Sequence, residues 1–181
     1  MKKFIVWTAL ILGILTLLFF FVFVPIMKSS TKKHSPEETI TYTKNNNNIE
    51  VFYCRPYKKG REIFGGLIPL DEVWRTGANE ATTFETKNDL SFNGETLPKG
   101  KYTLWTKPGL SSWQVIFNSE LYGWGVSFGG VASRKPESDV LKITVPVQQV
   151  PEVEQFTISF EENPQAMTLS WDQTKISVPF Q

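Results

Sequence analysis

Two patterns of hydrophobic and polar positions divide the chain. From Phe4 to Val24 the sequence reads FIVWTALILGILTLLFFFVFV, which is 21 residues with no charge and no proline. A helix of that length, at about 1.5 Å of rise per residue, spans a hydrocarbon core of roughly 30 Å. Past residue 40 the apolar residues recur mostly at every second position. The chain is therefore predicted to have one membrane-spanning helix followed by a domain made of strands.

The alternating pattern is clearest in the stretches WQVIF, LKITVPV, TISF and MTLSW. Alternation of this kind is typical of strands that bury one face. Turn-forming pairs such as Asn93-Gly94 separate the stretches, and no window past residue 25 keeps helical spacing over a dozen residues. One short helical turn is compatible with the sequence from Leu70 to Trp74. We predict an all-β domain, an antiparallel β-sandwich of about eight or nine strands with jelly-roll or Greek-key-like connections.

The apolar segment has the features of a retained anchor. A cleavable signal peptide usually has a hydrophobic region of about 7 to 15 residues that ends in a small-x-small site. Here the run is longer, and the sequence PIMK follows it. We predict an N-terminal transmembrane anchor with a short basic tail over residues 1–27, a polar tether over 28–39 and the β domain over 40–181.

The basic residues around the anchor determine its orientation only weakly. Lys2 and Lys3 precede the apolar segment, whereas Lys28, Lys32 and Lys33 follow it. The excess of positive charge on the cytoplasmic side is therefore small in either orientation. The simpler topology keeps the three-residue tail inside and exports the domain. We predict a single-pass protein of the inner (cytoplasmic) membrane that contacts the bilayer through residues 4–24 and has an extracytoplasmic domain.

Charge and composition exclude several classes of function. From His34 onward there are 14 lysine and arginine residues against 18 acidic ones, a net charge of −4 for the domain. Nucleic-acid binding usually requires a basic surface, so we predict none. His34 is the one histidine and Cys54 the one cysteine, which excludes a Ser-His-Asp triad within the fold and a disulfide within the chain. We predict Cys54 to be buried, and we expect no metal site, no cofactor and no catalysis.

Residues 55 to 85 interrupt the alternation with four glycines, two prolines and three arginines. Loops longer than about 12 to 15 residues are usually functional or disordered. Disorder would expose a series of large apolar side chains, so we predict an ordered loop over one end or face of the sandwich. The run LYGWGVSFGG, residues 121–130, is rich in glycine and aromatic residues and would suit the rim of a binding site.

Three interpretations of the polar residues in the loop remain open. In the first, they satisfy one another and the backbone of the loop. In the second, they form a pocket for a carboxylate, a phosphate or a sugar, because arginine offers a planar pair of donors. In the third, Glu80 with Glu72 or Asp71 forms an acid/base pair of the glycosidase type. The candidate binding residues are Arg55, Arg61, Trp74, Arg75, Asn79 and Glu80.

Several segments of the sequence resemble one family of bacterial exported proteins. The dipeptide Arg55-Pro56 and the blocks KGREIFGGLIP, VWRTGANEAT, GETLPKGKYTL and WQVIFN resemble DUF family 2911 over roughly residues 36 to 160. The resemblance implies an all-β, exported or envelope-associated domain, and it supplies no catalytic residue. One departure follows Trp124-Gly125, where the insertion VSFGGVASRKPES changes the rim of any site there.

Together these observations predict a membrane-anchored extracytoplasmic β-sandwich that acts as a binding or envelope-structural module. Its expected partners are the membrane and either a small anionic or carbohydrate ligand or an envelope protein. The alternative function is a hydrolase of glycans or esters that uses Glu80 with Glu72 or Asp71 and no metal.

Overall fold

The computed structural model describes residues 2–127 and 129–181, with the Lys2 side chain left aside, so Met1 of the predicted tail and Phe128 of the predicted rim lie outside the described residues. The chain divides into two compact units. The first ends at His34, and the second spans Ser35–Gln181. Each unit is described by itself below.

The first unit is helical and apolar, as predicted. It consists of α1 (Lys2–Leu18), a π-helical segment (Phe19–Phe23) and α2 (Val24–His34). The stretch Lys3–His34 has a mean hydropathy of 2.8 in its most apolar part, and none of that part is buried inside the protein. By length and composition this helix fits a single-pass membrane anchor or a signal sequence.

The helix extends further than the polar pattern indicated. Residues 28–34 are helical and belong to α2, although they were assigned to the tether. Pro36 disfavours a helical conformation at Ser35, which explains why the helix ends at His34. The Arg55 amide then donates to the Pro36 carbonyl at 2.8 Å, so that β1 begins at Glu37 instead of residue 40.

The second unit is an antiparallel all-β fold, which confirms the predicted class. Its described residues form nine strands and one short 3-10 helix, Pro136–Ser138. The strands are β1 (Glu37–Tyr42), β2 (Ile49–Cys54), β3 (Thr83–Thr86), β4 (Leu90–Phe92), β5 (Glu95–Leu97), β6 (Gly100–Pro108), β7 (Ser112–Asn118), β8 (Asp139–Glu162) and β9 (Gln165–Pro179).

Seven of the strands form one sheet in the order β1-β2-β3-β6-β7-β8-β9, and β4 and β5 form a separate hairpin. The sheet curls because β8 is long: its first part pairs with β7, and β9 pairs along most of its length. Register shifts interrupt the β8–β9 ladder between Gln149 and Thr157. Beyond them β8 returns toward the first strands, where Tyr57 pairs with Gln155. The curled sheet encloses one core, in keeping with a sandwich.

The core is filled by the inward-facing positions of the alternating strands. Phe156 and Ile158 of β8 are buried there, as are Met167, Leu169 and Trp171 of β9. The β4–β5 hairpin adds three more buried side chains, those of Leu90, Phe92 and Leu97. These are the alternating residues that the sequence pattern assigned to buried faces.

Candidate binding sites of the β domain

The segment between β2 and β3, residues 55–82, is an ordered loop fastened to the sheet. Trp74 exchanges two backbone hydrogen bonds with Thr106 of β6, at 2.7 and 3.0 Å. The Asp71 amide donates to the Pro108 carbonyl at 2.7 Å. Asp71 has a φ of +59°, which is left-handed, so the helical turn predicted from Leu70 to Trp74 does not form.

Trp74 fixes the loop by packing into the core. Its ring stacks on Trp171 with 6.0 Å between centroids, and it meets Phe156 edge-on at 5.1 Å. Its indole nitrogen donates to the Gly77 carbonyl at 3.0 Å. Both the apolar face and the single donor of Trp74 are therefore used within the protein.

Gly77 is required by a close approach of the loop to β2. Its φ is +149°, and a Cβ atom there would lie 2.9 Å from the Cys54 carbonyl oxygen. Beside it, the Thr82 hydroxyl donates to the Thr76 carbonyl at 2.6 Å. The glycine within the TGAN block therefore reflects the path of the backbone.

Arg75 and Asn79 bind main-chain carbonyls of neighbouring segments. Arg75 Nη1 donates to the Trp124 carbonyl at 3.0 Å, and burial lowers the pKa of its guanidinium from the usual value. Asn79 is buried with a φ of +55°, and its Nδ2 donates to the Ser35 carbonyl at 3.3 Å. These two side chains therefore link the loop to the segment after β7 and to the start of the domain.

Glu80 lies beside Cys54, which is buried as predicted. The Cys54 Sγ donates to Glu80 Oε2 at 3.4 Å. Burial, followed by this hydrogen bond, raises the pKa of the thiol to about 11, so it is protonated at neutral pH. Cys54, Glu80 and Glu37 bring their potential ligand atoms within 4.8 Å of one another. A metal ion there would have to displace the thiol proton.

The two remaining arginines of the candidate set have other surroundings. Arg61 donates to the carbonyls of Lys58 and Tyr57 in its own turn. Arg55 Nη1 lies 3.1 Å from Glu38 of β1, and its Nε donates to the Phe156 carbonyl of β8 at 3.2 Å. The structure therefore groups Arg75, Asn79 and Glu80 in one part of the loop and places Arg55 between β1 and β8.

The carboxylates of the hydrolase alternative lie against different strands. The Asp71 backbone is bonded to the end of β6, and Glu72 beside it is exposed. Glu80 is bonded to Cys54 at the end of β2.

A groove of about 480 Å³ opens between β1 and the later part of β8. One wall carries Glu38, Ile40, Tyr42 and Lys44, and the other is formed by residues 157–160 with Glu162. Among the described residues β1 pairs with β2 and forms no ladder with β8, so this seam of the curled sheet stays open.

An ion pair closes each end of the groove. At one end Glu38 binds Arg55, whose Nη2 also donates to the Thr157 hydroxyl at 2.9 Å. At the other end Lys44 binds Glu162. The hydrogen bond and charge of Glu162 raise the pKa of Lys44, and Tyr42 adds a smaller contribution.

The hydroxyl of Tyr53 joins the two walls. It donates to Glu38, accepts from the Ile158 amide at 3.1 Å and lies 3.3 Å from the Ile158 carbonyl. Burial, followed by the hydrogen bond to Glu38, raises the pKa of this phenol well above its usual value. The Tyr53 hydroxyl thus bonds the backbone of β8 at Ile158, as a neighbouring strand would, and it is fully hydrogen-bonded within the protein.

Tyr42 differs from Tyr53 in this respect. It is 5% exposed, and its ring packs 5.1 Å from Phe160 and 5.5 Å from Phe180. Its hydroxyl is buried and has no hydrogen-bond partner among the described residues, and the same holds for Nε2 of Gln165, which pairs with Glu162 across the β8–β9 turn. Buried polar groups are normally paired, so Tyr42 leaves one unsatisfied hydroxyl in the lining of the groove.

No local pattern in the sequence indicates the groove. Tyr42 and Glu38 occupy alternating positions of a short strand, where tyrosine usually indicates core and glutamate usually indicates solvent. The facing wall on β8, residues 157–160 with Glu162, is more than 100 residues away in the chain, and periodicity is a local pattern. Of the six candidate residues, Arg55 alone lines the groove.

Comparison with models of known protein families finds a match over the β domain. A family model described as a protein of unknown function (DUF2911) matches residues 35–180, which is nearly the whole β domain. No curated protein and no solved structure matches the chain.

Proposed function

The chain belongs to DUF2911, a family of proteins of unknown function, and we propose that it is a membrane-anchored carbohydrate-binding module. The apolar helix is retained as a single-pass anchor in the cytoplasmic membrane. The β domain lies on the extracytoplasmic side, and the groove between β1 and β8 holds a glycan of the cell envelope.

The observation that carries the proposal is the buried, unpaired hydroxyl of Tyr42. An unsatisfied buried polar group costs about 1 to 3 kcal/mol. A ligand hydroxyl that hydrogen-bonds to Tyr42 would remove this cost on binding.

The chemistry of the groove favours a neutral, hydroxyl-rich ligand over an anion. Its two cations, Arg55 and Lys44, are already neutralised by Glu38 and Glu162. Between them the lining includes the hydroxyl-bearing residues Thr41, Thr43, Thr157 and Ser159. A volume of about 480 Å³ falls within the range of about 300 to 1,000 Å³ that is usual for ligand sites.

Under this proposal Trp74, Arg75 and Asn79 stabilise the conformation of the loop and do not contact the ligand. Arg75 and Asn79 donate to main-chain carbonyls, and Trp74 fills the core. Arg55 closes one end of the groove. The binding residues are then Tyr42 and the other residues that line the groove.

The proposal predicts that replacing Tyr42 by phenylalanine weakens glycan binding at least tenfold. One lost hydrogen bond to a buried ligand hydroxyl is worth about 0.5 to 1.5 kcal/mol, and the ligand group left unpaired adds to this. The probe is an array of bacterial envelope oligosaccharides, incubated with the full chain in a detergent without a sugar headgroup. The glycan retained on the array is then titrated against the variant.

Arg75→Ala is the control, because it alters the loop and leaves the groove intact. We expect its affinity to stay within twofold of the original chain. Binding that survives Tyr42→Phe but is lost in Arg75→Ala would place the ligand at the loop. Failure of the unaltered chain to retain any oligosaccharide would contradict the carbohydrate assignment.

A further inference from the structure

Among its described residues, the segment after β7 exposes the three large apolar side chains of Leu121, Trp124 and Val131. Leu121, Trp124 and Val131 are 57%, 39% and 66% exposed, respectively. The other tryptophans of the β domain are buried or half-buried. Exposed apolar groups gathered in one segment are a common mark of an interaction surface.

The backbone beneath these side chains is held in place. The Ala81 amide donates to the Gly123 carbonyl at 3.0 Å, and Arg75 donates to the Trp124 carbonyl. Tyr122 packs edge-on against buried Trp105 at 5.4 Å. Leu121 and Trp124 are therefore exposed to solvent on either side of Tyr122, which faces inward.

This segment lies on the side of the domain where the chain arrives from the helix. Asn79 donates to the carbonyl of Ser35, the first residue of the domain, and two residues later Ala81 binds Gly123. A short path of direct contacts thus joins Ser35 to Trp124.

The length of the chain keeps Ser35 close to the membrane. Residues 25–34 are helical, and at about 1.5 Å per residue they extend roughly 15 Å beyond the apolar segment. The headgroup layer on each side of the hydrocarbon core is about 5 to 8 Å thick. With residues 4–24 in the core, the helix ends a short distance beyond the headgroup layer. Ser35, which follows the helix directly, therefore lies close to the bilayer surface.

We propose that Leu121, Trp124 and Val131, here called the interfacial patch, insert into the headgroup region of the bilayer that holds the anchor. Tryptophan is enriched at this depth, because its ring is apolar and its indole nitrogen is a donor. The contact would give the tethered domain one preferred face toward the lipid. The inference rests on the proposed anchor and does not depend on the ligand in the groove.

The test measures whether lipid quenches Trp124. The full chain carrying Trp7→Phe, which removes the tryptophan in the apolar helix, is reconstituted into phosphatidylcholine vesicles whose acyl chains are brominated near the headgroup. The remaining tryptophans other than Trp124 are buried or half-buried in the domain. We expect the quenched fraction of the emission to fall at least threefold when Trp124→Phe is added. An equal quenched fraction with and without Trp124 would overturn the proposal.

A second set of variants keeps the indole in place. Leu121→Ser with Val131→Ser is expected to reduce the quenching of Trp124 at least twofold. The matched control is Leu110→Ser, because Leu110 is 83% exposed but lies in the β6–β7 turn, and it is expected to change nothing. An equal effect of the control would contradict the patch. Near-UV circular dichroism checks that each variant keeps its fold.

These results separate the patch from the proposed function. Reconstitution retains the helix whether or not a cell would cleave it. Absence of quenching would therefore overturn the patch alone, whereas cleavage of the helix in cells would contradict the anchor.

Discussion

Replacing Trp74 by alanine is expected to lower the free energy of unfolding of the β domain by about 3 kcal/mol. Loss of a buried tryptophan costs about 3 to 5 kcal/mol, and the lower value applies because Trp74 is only half-buried. The substitution opens a cavity beside Trp171 and Phe156 and removes the hydrogen bond to Gly77. Denaturant titration of the full chain in detergent, followed by near-UV circular dichroism, measures the effect.

Trp124→Ala is the matched control for Trp74. Its side chain is partly exposed and packs against no ring in the described structure, and the carbonyl that binds Arg75 is retained. In detergent we expect a loss below about 1 kcal/mol. Equal losses for the two variants would mean that Trp74 does not hold the loop.

Replacing Asp139 by alanine should have an effect of similar size at the start of β8. The Asp139 side chain is 3% exposed, binds Arg134 and Lys142 and accepts from Asn118 Nδ2 at 2.9 Å. Removing one partner of a buried ion pair costs about 3 to 5 kcal/mol, because the other charge remains buried. The same titration measures this loss, and exposed Glu137→Ala, two residues away, is expected to change stability by less than about 0.5 kcal/mol.

The stability lost in Asp139→Ala should decrease as the pH is lowered. Burial alone would raise the pKa of this carboxyl, but the hydrogen bonds from Arg134, Asn118 and Lys142 outweigh it and lower the pKa below the usual value. The stabilisation is then complete above the unfolded pKa of about 3.9 and is lost as the pH falls through the folded value. The difference between Asp139→Ala and the original chain should be equal at pH 7 and pH 5 and should shrink below about pH 4. A constant difference down to pH 2 would contradict this.

The strands could be predicted because burial of one face leaves a direct trace in the sequence. Phe156 and Ile158 alternate with polar residues, and the structure buries both. The end of the helix was harder to predict, because lysine, serine and threonine are compatible with both a helix and a tether. The left-handed Asp71 has no signature in a sequence that otherwise suits a helical turn.

The sequence predicted that the candidate site is an ordered loop, but it did not predict which groups its side chains contact. A long loop must pair its own backbone groups, and Arg75 and Asn79 do so with carbonyls of Trp124 and Ser35. Sequence reasoning could identify these donors but not their acceptors. The groove depends on how the sheet curls and brings β1 to β8, which no local pattern encodes.

If the groove keeps the hydroxyl of Tyr42 for a ligand, two matched substitutions can show it without any ligand. Both Tyr42 and Tyr53 are buried beside the groove, but among the described residues only the Tyr53 hydroxyl has partners, namely Glu38 and Ile158. Their phenylalanine variants are compared by denaturant titration of the full chain. We expect Tyr53→Phe to lose about 1 to 3 kcal/mol, whereas Tyr42→Phe should be at least as stable as the original chain. A loss at Tyr42→Phe as large as that at Tyr53→Phe would show that the hydroxyl is part of the structure, and would contradict the claim.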